Sequence, residues 1–375
     1  PKSPKVFFLI CAAFIVLFLV TFLSQDNSIS ESQEFKESYN VYILLYETPQ
    51  WMDTVKFDPP DTRCIVTKNR NYLPKIEMFD AILFSGQNSW KVEKSFPKVR
   101  SPHQYYVFVD LECPQMSFHK FSVNTGSEIY NITMTYRRDS DVYWPYGFIT
   151  NQNKTYLSAA EESKWLKPIF EKNIDDDLLN KIRKKTRIAA WFVSNCNGKS
   201  KRGYLAKAMQ KTIDVDIYGK CGPFVCFRNT TEDCYKLVDK DYFFYLSFEN
   251  TLCNDYITEK VFNIMRYDVV PVVYGGANYT QHLPPHSYID ANDFATATDL
   301  AKYLKSLTKD IKKYAKYFWW KKHYRTAVSA KVYNNLCDQL YERTSKQHKG
   351  NSFYKNIKEW WVKDQCTDSP KIRFV

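Results

Sequence analysis

The chain has 375 residues, 44% of them hydrophobic, enough to bury a large core and long enough for two domains. Its net charge is +12, yet Lys and Arg are scattered among acids and aromatics without a zinc-finger, homeodomain or RNA-binding pattern. That argues against nucleic acid as a partner; a solvated surface accounts for most of the charge and a phosphate-bearing small molecule for a few residues.

Residues 6–23 (VFFLICAAFIVLFLVTFL) form an 18-residue run without a charge, the lower limit for spanning a bilayer. Lys2 and Lys5 precede it, and Asp26, Glu31 and Glu34 follow. The positive-inside rule therefore predicts an uncleaved signal anchor with residues 1–5 cytosolic and the bulk of the chain lumenal. The run exceeds a usual signal-peptide h-region, and TFLSQD lacks a small-x-small cleavage site. Residues 24–38 have the polar composition of a flexible stem. Sequons at Asn131, Asn153, Asn229 and Asn278, and ten cysteines without zinc-type C-x₂-C pairs, fit an oxidising lumen. Cys11 lies in the anchor, leaving nine and so at least one unpaired thiol. Cys221, Cys226 and Cys234 are close enough for a local bridge; Cys337 and Cys366 suit ties to earlier segments that the sequence leaves open.

Folded structure is expected from residue 39. Apolar runs at 41–46, 64–66, 81–84 and 105–109, each followed by a turn or polar patch, predict a parallel sheet with crossovers. Glu112 follows the last of these in YYVFVDLECP, and a carboxylate at a strand end beside aromatic walls suits a general base. In NITMTYRRDSD (131–141), Asp139 and Asp141 form a DxD of the kind that holds Mn²⁺ for a nucleotide-sugar, but a structural Arg–Asp pair is the simpler account. The polar stretch 150–174 puts a domain boundary near Asp175. A strand at 188–193 then runs into Ser194-Asn195 and a helix opening at Lys201-Arg202; a guanidinium there can grip a diphosphate through paired N–H bonds.

Residues 242–276 (YFFYLSFENTLCNDYITEKVFNIMRYDVVPVVYGG) read as strand, polar Glu249-Asn250, helix with Thr258 as a cap, strand, Gly-Gly. Such a βαβ unit places Glu249, Glu259 and Lys260 at the strands' carboxyl ends, where ligands bind, and its helix N-terminus can seat a phosphate. His282 and His286 lack a third metal ligand. Residues 299–325 are helical and amphipathic, with the aromatic cluster at 317–320 packed back on the domain; the tail after 344 is basic.

Several of these stretches carry a resemblance. FYLSFENTLCNDYITEKVF, continuing through PVVYGG, is similar to the donor-site signature FxxxFENSxxxDYxTEK of the α1,3-fucosyltransferases. LECP resembles the family's strand ending L-E-S-P, with Cys113 in place of serine, which suggests a disulfide beside the site. The sequon with YRRDSD, the segment WFVSN…KRGY, and PPHSYI with its later DF resemble further signatures, in the family's order across roughly residues 39–337. The YGKCG spelling looks like the invertebrate and plant core-type branch.

The resemblance implies a GT-B fold: two Rossmann-like domains facing across a cleft, here 39–174 for the acceptor and 175–344 for GDP-fucose, behind a transmembrane helix and stem, with 345–375 as a tail. It implies an inverting transfer of L-fucose from GDP-β-L-fucose to the 3-hydroxyl of GlcNAc in an N-glycan, core or antennal, by a type II Golgi membrane enzyme. Glu112 is then the base. Tyr136, Ser194, Asn195, Arg202, Tyr245, Glu249, Asn250, Tyr256, Glu259 and Lys260 face the donor, with Tyr256 and Glu259 toward the ribose or nearby hydroxyls. No metal is required, Mn²⁺ at most stimulating. The rival readings are a metal-dependent DxD glycosyltransferase and a non-catalytic glycan-binding ectodomain.

Overall fold

A computed structural model describes residues 40–57, 60–88, 96–117, 128–153, 164–171, 174–227, 230–327, 331–345 and 353–375. The first apolar runs become β1 (Val41–Tyr46), β2 (Cys64–Thr67), β3 (Ala81–Ser85), β4 (Tyr105–Asp110), β5 (Ile132–Thr135) and β6 (Val142–Tyr143). They pair in the order β2-β1-β3-β4-β5-β6, every neighbour parallel. Every residue of β3, β4 and β5 is buried, which is why these strands read as continuous apolar runs rather than alternating ones.

After β7 (Phe148–Asn151) the chain builds a second parallel sheet from β8 (Arg187–Phe192), β9 (Val215–Tyr218) and β10 (Tyr242–Phe248). The short β11 (Leu252–Cys253) stands outside it, and β12 (Val270–Tyr274) and β13 (Ile289–Asp290) complete the order β13-β12-β10-β8-β9. β10 is central and wholly buried. The order reverses between β8 and β10, since β9 lies on one side of β8 and β10 on the other. A crevice therefore opens at the carboxyl ends of these two strands.

The chain then returns. β14 (Tyr324–Ala327) pairs antiparallel with β7, and β15 (Cys366–Thr367) with β11. The helix Val332–Ser345, assigned from sequence to the second half, packs Tyr333, Leu336 and Leu340 into the core of the first sheet, and Cys337 bridges to Cys64. The supposed tail joins it: Ile357 and Trp361 of the helix Ile357–Val362 are fully buried there, Trp361 edge-on to Phe108 at 5.5 Å. Apolar residues three and four apart must be covered, and the first sheet is what covers them. Residues 41–375 accordingly form one compact unit.

Bridges also join Cys196 to Cys221, Cys226 to Cys234 and Cys253 to Cys366. Cys113 is a free, buried thiol, so the disulfide expected beside Glu112 is not formed. Residues 316–322 form a 3₁₀ turn with Tyr317, Phe318, Trp319 and Trp320 buried, packed on the domain as the sequence implied, but the helix expected over 299–325 is broken after Lys309 and Ala315 and its last two residues belong to β14. No helix among the described residues is long and apolar enough to cross a membrane; the run 6–23 and the stem 24–38 lie outside them.

Candidate active site

Glu249 is the first residue past β10, and its N–H still donates to Tyr274 O across the ladder at 2.8 Å. The side chain is only 2% exposed. A carboxylate so placed needs partners, and it has three. Thr258 N and Oγ1 both donate to Oε1 at 2.9 Å, and Lys260 Nζ donates to Oε2 at 2.8 Å. Thr258, expected as a cap, makes no capping bond; its hydroxyl joins this network and also accepts from Lys260 at 2.6 Å. The helix Glu259–Ile264 has six residues, so positive charge here comes from Lys260 rather than from a long helix dipole. Burial raises the Glu249 pKa against the pull of Lys260. Burial also lowers that of Lys260, but Glu249 and Glu259 outweigh it and the net shift is upward.

Arg202 bridges the crevice. Its two terminal nitrogens donate to Phe248 O at 2.7 Å and Asn195 O at 3.0 Å, tying the end of β10 to the loop after β8. Arg202 Nε and Asn250 Oδ1 are buried without a hydrogen-bond partner among the described residues. Ser200, which sequence reasoning missed, locks the same junction: its N–H donates to Asn250 O at 2.9 Å and its hydroxyl to Glu249 O at 2.6 Å. A lone serine in a loop carries no sequence signal for such a role. Gly198 permits the approach, since a Cβ there would lie 2.9 Å from Asn250 O.

Glu112 stands at the end of β4 in the other sheet. Asp110 Oδ1 accepts the Glu112 N–H at 2.9 Å, while Glu112 Oε1 accepts from Cys113 N at 3.2 Å and from the Tyr256 hydroxyl at 2.6 Å. Burial pushes the Asp110 carboxyl up to about 8, against the Glu112 N–H that favours its charged form. Tyr256 is wedged edge-on against Tyr136 at 5.1 Å and Tyr146 at 6.1 Å. One segment, 249–260, thus carries Glu249 at one end, Lys260 at the other, and between them the residue that holds Glu112.

Not every expected residue belongs here. Tyr136 is 1% exposed between Tyr256 and Trp361, a core wall rather than a donor contact. Tyr245 lies mid-strand in the core, edge-on to Phe192 at 5.2 Å. Tyr256 gives its hydroxyl to Glu112 rather than holding it toward a ribose. Ser194 and Asn195 are exposed at the mouth of the crevice, and Glu259 is half exposed beside Lys260. Asp139 pairs with Arg137, as the sequence implied, and Asp141 accepts from Thr133 N and Tyr354 at 2.8 Å. His286 stacks on Tyr317 at 4.1 Å, and buried His282 stands 3.9 Å from Asp255. Of the sequons, Asn153 and Asn278 are exposed and Asn229 lies outside the described residues. Asn131 is 3% exposed, with Oδ1 accepting from Tyr106 N at 2.9 Å and from Arg100, so as folded it presents no attachment point for a glycan.

Residues 182–360 match the family described as glycosyltransferase family 10 (fucosyltransferase) C-term, and residues 38–147 the fucosyltransferase N-terminal family. The chain is 42% identical over 317 residues to alpha-(1,3)-fucosyltransferase C of Drosophila melanogaster, covering 84% of this chain and 72% of that protein. It is 33% identical over 306 residues to glycoprotein 3-alpha-L-fucosyltransferase A of the same fly, covering 81% and 55%. With the mouse 4-galactosyl-N-acetylglucosaminide 3-alpha-L-fucosyltransferase 9 it shares 30% over 305 residues, covering 80% and 74%. A crystal structure of an alpha1,3-fucosyltransferase with GDP-fucose shares the fold, with TM-score 0.51 and 14% identity over 84% of this chain and 92% of that one.

Proposed function

The chain belongs to glycosyltransferase family 10, the α1,3-fucosyltransferases, and from that premise we propose that it transfers L-fucose from GDP-β-L-fucose to the 3-hydroxyl of a GlcNAc in a glycoprotein N-glycan. The two parallel sheets are read as the halves of a GT-B fold. The observation that carries the proposal is the 2.6 Å hydrogen bond from Tyr256 to Glu112, because it brings the carboxylate of one sheet to the segment that bears Lys260 in the other.

In an inverting displacement, Glu112 accepts the proton of the attacking hydroxyl while the bond from the fucose anomeric carbon to GDP breaks and its electron pair leaves on the phosphate oxygen. Lys260 and Arg202 supply fixed positive charge for that leaving group. Glu249 holds Lys260 in place, and Asn250 Oδ1 offers an acceptor to a sugar hydroxyl. With these cations in place a metal is not required in this scheme, and Mn²⁺ at most stimulates. A Golgi location as a type II membrane protein is supported by the apolar run 6–23, the exposed sequons and the four disulfides. The YGKCG spelling favours core GlcNAc as acceptor.

The test is Glu112→Ala assayed with GDP-fucose and defined N-glycans, the added deoxyhexose located by mass spectrometry. Turnover should fall about 100- to 10,000-fold while GDP still raises the melting temperature. Near-normal transfer would remove Glu112 from its role.

A further inference from the structure

A cavity among the described residues lies apart from the crevice of Glu249 and Arg202. It has a volume of about 650 Å³ and lies beyond the ends of β12 and β13, walled on one side by Gly275-Gly276 and on the other by the C-terminal segment 364–371. Both walls are built features. A Cβ on Gly276 would lie 2.5 Å from Cys253 N, so the glycine lets β12 end against β11. The Cys253–Cys366 bridge then holds the C-terminal segment across the opening.

The lining has a definite chemistry. Three carboxylates, Asp290, Asp293 and Asp364, face the cavity with Lys371 as the cation among its lining residues. That balance repels a nucleotide diphosphate and suits a neutral ligand rich in hydroxyl donors. Tyr279 is among the lining residues; it is 2% exposed, and its hydroxyl is buried within the wall without a hydrogen-bond partner among the described residues. This hydroxyl sits where a side chain on Gly275, also in the lining, would begin. Asp368, between the lining residues Thr367 and Ser369, accepts from Gln115 at 3.0 Å, which ties the C-terminal segment to the segment that follows β4.

We propose that this cavity is an acceptor subsite, holding uncharged sugar residues of the glycan remote from the GlcNAc that receives fucose. The inference rests on the fucosyl-transfer reading for its role but not for its binding. The full chain is assayed with the pentasaccharide Man₃GlcNAc₂ and with the methyl β-glycoside of GlcNAc, and binding of each is read separately by saturation-transfer NMR. Asp293→Ala with Asp364→Asn, and independently Ser369→Trp to fill the space from an exposed position, should each lower the preference for the pentasaccharide over the monosaccharide about tenfold. The KM for GDP-fucose should stay within about twofold. Equal losses on both acceptors, or no change on either, would overturn the subsite. A gain in pentasaccharide affinity on Asn278→Gln would assign the cavity to the chain's own glycan and likewise overturn it. Pentasaccharide binding that the variants weaken, without transfer to any acceptor, would sink the fucosyl-transfer reading and leave the subsite standing.

Discussion

Lys260→Met tests the pairing at the centre of the site. In the intact protein Lys260 Nζ lies 2.8 Å from a Glu249 carboxylate that is 2% exposed. At that separation the attraction is about 6 kcal/mol for an effective dielectric of about 20, against a desolvation cost of several kcal/mol per ion, so the pair as a whole is close to neutral for stability. Removing one partner is different. Glu249 is left buried with Thr258 as its remaining donor, and its cheapest escape is to take up a proton. Relative to an unfolded carboxyl of ordinary pKa 4.5, protonation at pH 7 costs about 3.4 kcal/mol, at about 1.36 kcal/mol per pH unit.

That figure is a ceiling at pH 7, and it falls to about 0.7 kcal/mol at pH 5. The sign follows from proton uptake: the folded variant binds a proton that the unfolded chain has released, so acid favours the folded form. Urea unfolding followed by tryptophan fluorescence should show a deficit of about 3 kcal/mol at pH 7 that shrinks to about 1 kcal/mol or less at pH 5. Lys260→Met should abolish transfer, and Glu249→Gln added to it should recover most of the stability loss, since no charge is then stranded, without restoring transfer. A deficit independent of pH, or a double variant no more stable than the single, would refute the reasoning.

Tyr256→Phe separates two roles for one hydroxyl. Losing the bond to Glu112 removes about 1.5–3 kcal/mol of charge-assisted hydrogen bonding and should lower kcat about tenfold with the KM for GDP-fucose nearly unchanged; a raised donor KM at constant kcat would restore the ribose contact read from sequence. Asp110→Asn addresses pH: the folded carboxyl titrates at about 8 against an ordinary value of 3.8, so the folded state holds its proton more tightly and stability drains away as pH rises between those values. The asparagine variant, scanned calorimetrically from pH 4 to 9, should lose that decline, and parallel curves for the two proteins would remove Asp110 as its source.

What the sequence made legible was whatever a local pattern can record. A parallel strand buried on both faces must be apolar throughout, so β10 could be placed to within one residue and its exit at Glu249-Asn250 to the residue. Tyr136 and Tyr245 could not be sorted in this way, because an aromatic ring that stacks on a ligand and one that fills a core have the same composition. Nor could the C-terminal helices, whose charged faces hid Ile357 and Trp361 at i, i+4. The bond from Tyr256 to Glu112 spans 144 residues, and no local period encodes a contact at that separation.

Arg202 shows most clearly what geometry adds. From sequence it was a cation free to close on a diphosphate, but its terminal nitrogens are bound to Phe248 O and Asn195 O. Burial lowers its pKa, with Glu249 pulling the other way. A guanidinium pinned by two main-chain carbonyls cannot swing to follow a substrate. It contributes instead as a fixed charge whose orientation was set when the chain folded, and the same holds for Lys260 between Glu249 and Thr258. For a leaving group that gains negative charge only as its bond breaks, fixed charges have the advantage, because no reorganisation of protein dipoles is needed in the transition state. The interactions that hold these cations still are therefore as much a part of the proposed chemistry as the cations themselves.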